Sequence, residues 1–357
     1  MIDWRWVLSR ARWALLLVPI AWVALVVRHW GSLPPIPLLT DADAYHLAAE
    51  AIKQGGSPYY SLPVPGPHRY GHDLWYLYPP FLASALSFAG LSRAGTYTLM
   101  VLSAAASAML FGYGIARLAR VGGIWLMFAV SGAVLAFPGS LALVLTGNIQ
   151  LVVDSMVVLA LTTSAAPAAG LLVAAAALKV TPIWGAAVVL VRGGKRALLG
   201  GGLAALVVIA ITLGALGVDG TVDAYRTWFT QVAPTLSQGQ FDNDGGWVYW
   251  NLSPVFAPLM ILTGEPPIGE SIPAMARVYL VAMQLAIPLA TIWLTRRRPG
   301  YEQAGWVIVA ATLSAPIVRS GYLPILLIAP ALWFHRRSSA VAPDGRPDSS
   351  NQPIIAR

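Results

Sequence analysis

Two carboxylates, Asp41 and Asp43, stand close together in Thr40-Asp41-Ala42-Asp43-Ala44-Tyr45, shortly after the first long apolar run of the chain. A carboxylate at a lipid–water boundary is costly unless solvated or paired, so such residues mark functional sites by default. Either could act as a general base toward a hydroxyl. Either could also cap a helix, because an acidic group is favoured at a helix N-terminus. Lys179 lies inside another apolar run ahead of Thr181-Pro182. An unpaired ammonium is expensive there, so it must face the interior of a bundle, snorkel to water, or pair with a group such as Asp154. Asn148 and Gln150 can each donate and accept hydrogen bonds, which suits a hydroxyl-rich ligand and equally suits a loosened helix start after Pro138-Gly139. His68, His72 and Asp73 have metal-ligating side chains but no standard spacing, and Asp242 and Asp244 lack the rest of a calcium loop. No metal and no diffusible cofactor is expected.

These residues need a scaffold, and the composition says of what kind. Of 357 residues, 57% are hydrophobic and 11% charged, and the mean hydropathy is +0.66, which predicts an all-α polytopic membrane protein. The formal charge of +8 comes largely from Arg5, Arg10, Arg12, Arg192, Lys195, Arg196, Arg296, Arg297, Arg298, Arg336 and Arg337, all flanking apolar runs. They read as cytoplasmic anchors, not as a nucleic-acid surface. With zero cysteines, no disulfide, zinc-thiolate centre or cysteine nucleophile is possible.

Apolar runs long enough to cross a bilayer fall at 12–28, 95–116, 122–138, 149–165, 167–192, 197–217, 273–295, 303–318 and 321–335, with shorter pieces at 78–92 and 247–263. They predict about ten crossings in one transmembrane domain over 1–335. The arginines place both termini in the cytoplasm, make 29–77 and 219–270 outer-face segments, and leave 336–357 as a disordered tail. Arg117 and Arg120 join the cytoplasmic set only if 78–92 dips into the membrane without crossing it. Within 29–77, Tyr45, Ala48, Ala49 and Ile52 share one helical face, with Gly55-Gly56 as the stop. The predicted object is a short amphipathic helix on the outer membrane surface. In 219–270, Asp223 to Phe229 reads as helical, and Ser237 to Gly246 as a mobile loop over a site. Trp75, Tyr76, Trp247, Tyr249 and Trp250 suit an interfacial aromatic belt, while Tyr78, beside two prolines, stands out as a ligand contact.

The order Asp41-x-x-x-Tyr45-x-x-Ala48-Ala49, Gly55-Gly56-Ser57-Pro58-Tyr59 and Tyr78-Pro79-Pro80 resembles the opening of a known family. That family is glycosyltransferase family 87, the polyprenyl-phosphate-mannose-dependent α-mannosyltransferases of the GT-C superfamily. The resemblance continues through Gly147-Asn148-Ile149-Gln150, Leu178-Lys179-Val180-Thr181-Pro182, Asn251-Leu252-Ser253, and Leu313-Ser314-Ala315-Pro316 followed by Arg319 and Tyr322. Two features depart from the family pattern. The amides of 147–150 are exchanged relative to the frequent Gly-Gln-x-Asn, and Arg319-Ser320-Gly321-Tyr322 stands where a His-containing stretch is common. The resemblance implies a GT-C helical bundle in the cell membrane, with its active site on the outer face. It further implies a membrane-bound hexosyltransferase that moves mannose, or alternatively arabinose, from a polyprenyl-phosphate donor to a glycan or glycolipid with inversion. Asp41 then takes the catalytic base position, with Asp43 in reserve, and Tyr45, Tyr78, Asn148, Gln150, Lys179, Asn251, Arg319 and Tyr322 become substrate contacts. Lys179 or Arg319 would face the departing phosphate, where negative charge develops. A lipid flippase or sugar transporter is the main rival reading, and a non-catalytic scaffold is the third; no pair of related halves with interrupted helices favours transport.

Overall fold

The computed structural model describes residues 40–59, 76–120, 124–234, 254–255, 258, 274–315 and 320–340. The expected first span at 12–28, His68, His72, Asp73, the expected loop from Ser237 to Gly246, Asn251 and Arg319 lie outside the described residues. Within them every regular element is helical. In chain order these are α1 (Thr40–Lys53), α2 (Pro80–Ala89), α3 (Arg93–Leu118), α4 (Ile124–Ala136), α5 (Pro138–Thr146), α6 (Gln150–Ala160), α7 (Ala165–Leu178), α8 (Ile183–Arg192), α9 (Gly194–Thr227), α10 (Ala274–Leu294), α11 (Gly300–Ser314) and α12 (Ile328–Ala340). The protein is an all-α polytopic membrane protein.

Hydropathy alone counts uninterrupted crossings, and the fold divides them differently. Among the described residues three helices are long and apolar enough to span a bilayer: α3, α9 with its continuation to Val232, and α10. A fourth candidate is the α4–α5 pair, bent by 71° where Pro138 interrupts it. Helices α2, α6, α7 and α8 have 10 to 14 residues. At 1.5 Å per residue they are about 15–21 Å long, short of a hydrocarbon core of about 30 Å. The apolar run 167–192 is two helices, because the chain leaves the α region at Lys179 (φ −156°, ψ 125°) and restarts after Pro182. Proline supplies no backbone N–H, and it biases the residue before it toward extended backbone. The run 321–335 likewise divides into a 3₁₀ stretch, Ser320–Leu327, and α12. Helix α12 continues to Ala340, so the first residues of the expected disordered tail are helical.

Leu198, Leu199, Leu203 and Leu206 of α9 and Met275, Val278, Leu285 and Leu289 of α10 are exposed, which is the pattern of lipid-facing surface. Inside the bundle, small residues let backbones approach: a methyl group on Gly200 of α9 would overlap the carbonyl oxygen of Ala166 in α7. One group of basic residues gathers at one end. Arg192 donates to the backbone carbonyl of Arg298 at 3.0 Å and to that of Arg296. Arg336 pairs with Glu302 at 3.3 Å. Nδ1 of His335 donates to the carbonyl of Leu118 at 3.0 Å, which carries the end of α3, with Arg117 and Arg120, to the same end. At the other end, the Lys53 ammonium donates to the Leu91 carbonyl at 3.5 Å and Arg93 pairs with Asp43. Lys53, which precedes α2, and Leu91, which follows it, therefore lie close together at that second end.

Helix α1 forms where the sequence places it. It stops at Gly55, whose φ of 79° is left-handed, and Gly55 and Gly56 donate back to Ile52 and Ala51 at 2.9 and 2.8 Å. Tyr45, Ala48, Ala49 and Ile52 are all buried, in the core shared with α2 and α3. The expected membrane-facing surface is thus packed against protein.

Candidate active site

Asp41 and Asp43 both sit in the first turn of α1, but two residues of helix turn the chain through about 200°, so they serve different neighbours. Asp43 is held by Arg93 at the start of α3: Nε donates to Oδ1 and Nη2 to Oδ2, both at 2.7 Å, and the Tyr97 hydroxyl also donates to Oδ1. Asp43 thereby clamps α1 onto α3. Asp41 instead lines a cavity of about 390 Å³, a size within the range of about 300–1,000 Å³ common for small-molecule sites.

The turn beside Asp41 depends on a glycine. Gly147 ends α5 with φ 71°, and a Cβ there would meet the Cβ of Ala42 at 2.7 Å. Only glycine combines that backbone with that approach. Asn148 follows, its Oδ1 accepting from the Gln150 N–H at 2.8 Å and its Nδ2 donating to the Tyr78 hydroxyl at 3.2 Å. Tyr45 braces the same turn, its hydroxyl accepting from the Ile149 N–H at 3.3 Å while its ring stands edge-on to Tyr78 with centroids 5.1 Å apart. Gly147→Ala is expected to cost roughly 1–3 kcal/mol through strain and overpacking. A lowered thermal midpoint in detergent checks this.

Across the cavity, the break between α7 and α8 presents Lys179. Its ammonium lies 4.0 Å from the ring centroid of Tyr322 and 5.7 Å from that of Tyr78, and it has no hydrogen-bond partner. The pairing with Asp154 considered from the sequence is not formed: Asp154 Oδ1 accepts from Gln150 Nε2 at 2.6 Å, and Oδ2 has no partner. The third wall is Trp228, in a five-residue π-helical turn after α9, with its indole N–H also unpartnered. Burial, followed by the charge of Asp41, raises the Tyr78 phenol well above its ordinary value of 10. Tyr78 therefore stays protonated and does not compete with a carboxylate as a base.

The cavity brings together Asp41, Tyr78, Asn148, Gln150, Lys179 and Tyr322 from the residues singled out in the sequence. Tyr45 stands behind the wall as a support, and Asn251 and Arg319 are outside the described residues. Asp154 and Trp228 join the wall without having been singled out as ligand contacts. A carboxylate within an apolar run, four residues after Gln150, was the available signal for Asp154. Trp228 had none beyond its residue type. Among the described residues no group of three metal-ligating side chains occurs.

The order of these elements can be compared with known proteins. Residues 76–330 match glycosyltransferase family 87 over more than half of the chain. The chain belongs to glycosyltransferase family 87. No curated protein and no solved structure matches it. The family match begins after α1, so Asp41 is tied to this glycosyltransferase by its place in the cavity and by the motif order, outside the matched range. In the glycosyltransferase, Asp43→Asn removes one side of a half-exposed ion pair. The expected loss is about 1 kcal/mol or less of stability, with transfer kept within a few-fold; thermal unfolding together with an activity assay checks both.

Proposed function

We propose that this family 87 glycosyltransferase moves mannose from a polyprenyl-phosphate donor to a hydroxyl of a glycan or glycolipid, with Asp41 as general base. The observation that carries the reading is that Asp41 and Lys179 line one cavity, at the end of the bundle opposite Arg192, Arg296 and Arg298. The acceptor hydroxyl loses its proton to Asp41 as its oxygen attacks the anomeric carbon. The bond from that carbon to the phosphate oxygen breaks, and its electron pair stays on the phosphate, which leaves on the lipid carrier. A phosphate is already a good leaving group, so the scheme needs a base and no carboxylic acid to protonate the departing oxygen. Attack from the face opposite the phosphate inverts the anomeric centre, so a β-linked donor gives an α-linked product.

Lys179 is suited to the charge that develops on the departing phosphate, because a fixed cation in a water-poor site acts more strongly than one in bulk solvent. Helix α7, of 14 residues, rises about 21 Å from the basic end to Lys179. This depth suits a headgroup whose prenyl chain stays in the bilayer while the acceptor arrives from water on Asp41's side. The positive-inside rule, applied to Arg192, Arg296 to Arg298 and Arg336, makes the site end the outer face of the cell membrane and puts both termini in the cytoplasm. Arg319 and Asn251 belong to the same proposal through the motif order alone.

The test is incubation of the purified protein with labelled polyprenyl-phosphate mannose and, in parallel, with the arabinose donor, using alkyl mannosides as acceptors. Release of free sugar to water is scored separately. Mannosylated product from the first donor supports the reading, and product from the arabinose donor alone corrects the sugar. Movement of intact lipid across vesicles, without product, would replace the enzyme with a flippase.

A further inference from the structure

Seven buried side-chain nitrogen or oxygen atoms among the described residues have no hydrogen-bond partner, and four of them belong to residues lining this one cavity. A buried polar atom left unpaired costs about 1–3 kcal/mol, so their concentration at one site calls for an explanation outside folding stability. The four divide by chemistry. Lys179 Nζ and Trp228 Nε1 are donors, one of them a cation. Gln150 Oε1 and Asp154 Oδ2 are acceptors.

The acceptors form a rigid unit. Gln150 and Asp154 occupy successive turns of α6, and the bond from Gln150 Nε2 to Asp154 Oδ1 at 2.6 Å locks the two side chains together, leaving one spare oxygen on each. Asp154 is 1% and Gln150 is 7% exposed, so both are fixed in the wall. Two spare oxygens on linked side chains suit hydroxyl groups, which donate hydrogen bonds. They repel a phosphate, whose oxygens are acceptors as well. The donors Lys179 and Trp228 have the opposite preference. Val153 and Val157 of α6 and Ile308 of α11 line the same cavity with apolar surface, which suits the C–H face of a sugar ring.

We infer that the Gln150–Asp154 pair reads the hydroxyl groups of the transferred sugar and sets donor specificity, with the phosphate held apart at Lys179 and Trp228. This assignment rests on the reading of the protein as a polyprenyl-phosphate-dependent enzyme. It also gives Asp154 a positioning role that neither the proton transfer nor the family match requires. A site that hydrogen-bonds a substrate hydroxyl rejects the analogue lacking it, because the site's own polar group is then left unpaired.

The experiment measures kcat/KM of the full-length protein for polyprenyl-phosphate mannose and for the set of donors each lacking one hydroxyl. Wild type should lose about tenfold or more on at least one deoxy donor, mainly through KM. Asp154→Asn, which keeps the side-chain shape, should shrink that penalty to about threefold or less. Gln150→Met, which leaves Asp154 intact, should flatten discrimination at a neighbouring hydroxyl. A purely structural role would slow both variants on every donor alike and keep the wild-type ratios, and that result overturns the inference.

A binding measurement separates this from failure of the enzymatic reading. Sugar-free polyprenyl phosphate should raise the thermal midpoint of wild type and Asp154→Asn equally. The mannosylated carrier should raise it further for wild type only. Sugar-dependent stabilisation without transfer would sink the enzymatic reading and leave sugar recognition standing. Equal stabilisation by both carriers in wild type would sink the recognition itself.

Discussion

Asp41→Asn is expected to lower transfer by about 10²- to 10⁴-fold, the usual contribution of a positioned general base, while the protein keeps its expression level and thermal midpoint. The amide is nearly the same shape as the carboxylate but cannot accept the acceptor's proton at neutral pH. Within α1 the lost charge removes only the favourable interaction of an acid with the helix N-terminus, roughly 0.3–1 kcal/mol. The helix is tied down by the Arg93 clamp on Asp43, by Tyr45 against the Ile149 turn and by its buried alanine face. Rate and stability should therefore separate cleanly, and the comparison with Asp43→Asn shows the reverse pattern: stability moves and transfer survives. Normal turnover by Asp41→Asn would refute the base assignment and shift attention to Asp154, the other carboxylate lining the cavity among the described residues.

Lys179→Met is expected to reduce kcat by about 10²- to 10³-fold on a lipid-phosphate donor, the scale seen when a preorganised group facing developing charge is removed. Stability should hold or rise. An ammonium without a hydrogen-bond partner, steadied by two tyrosine rings, is a burden on the fold that a thioether of similar length does not impose. Lys179→Arg should recover only part of the rate, since a planar guanidinium cannot occupy the point between Tyr322 and Tyr78 in the same way. Single-turnover rates and thermal unfolding of the three proteins decide the matter. Unchanged turnover in Lys179→Met would remove the cation from the mechanism.

The two carboxylates of α1 illustrate how far local pattern reaches. Their spacing and the apolar face of Tyr45, Ala48, Ala49 and Ile52 predict a helix with both acids in its first turn, and that helix forms. What the face packs against is another matter: a helical stripe reports that it is buried, while lipid and protein are both apolar enough to satisfy it. Protein covers it here because α2 and α3 return to the same end of the bundle. The motif order carried the family, since that information is written along the chain.

Membrane character, helix α1 with its glycine stop at Gly55 and the family of this protein were determined by sequence alone, because apolar runs, backbone breakers and ordered motifs act over a few residues at a time. Tertiary structure alone decided that Asp43 meets Arg93 while Asp41 meets the cavity. It also decided that Lys179 stands on a helix break between two tyrosines, and that Asp154 and Trp228 share its wall. Those neighbours are dozens to more than a hundred residues apart in the chain, and no local periodicity encodes which helix faces converge once the bundle has packed.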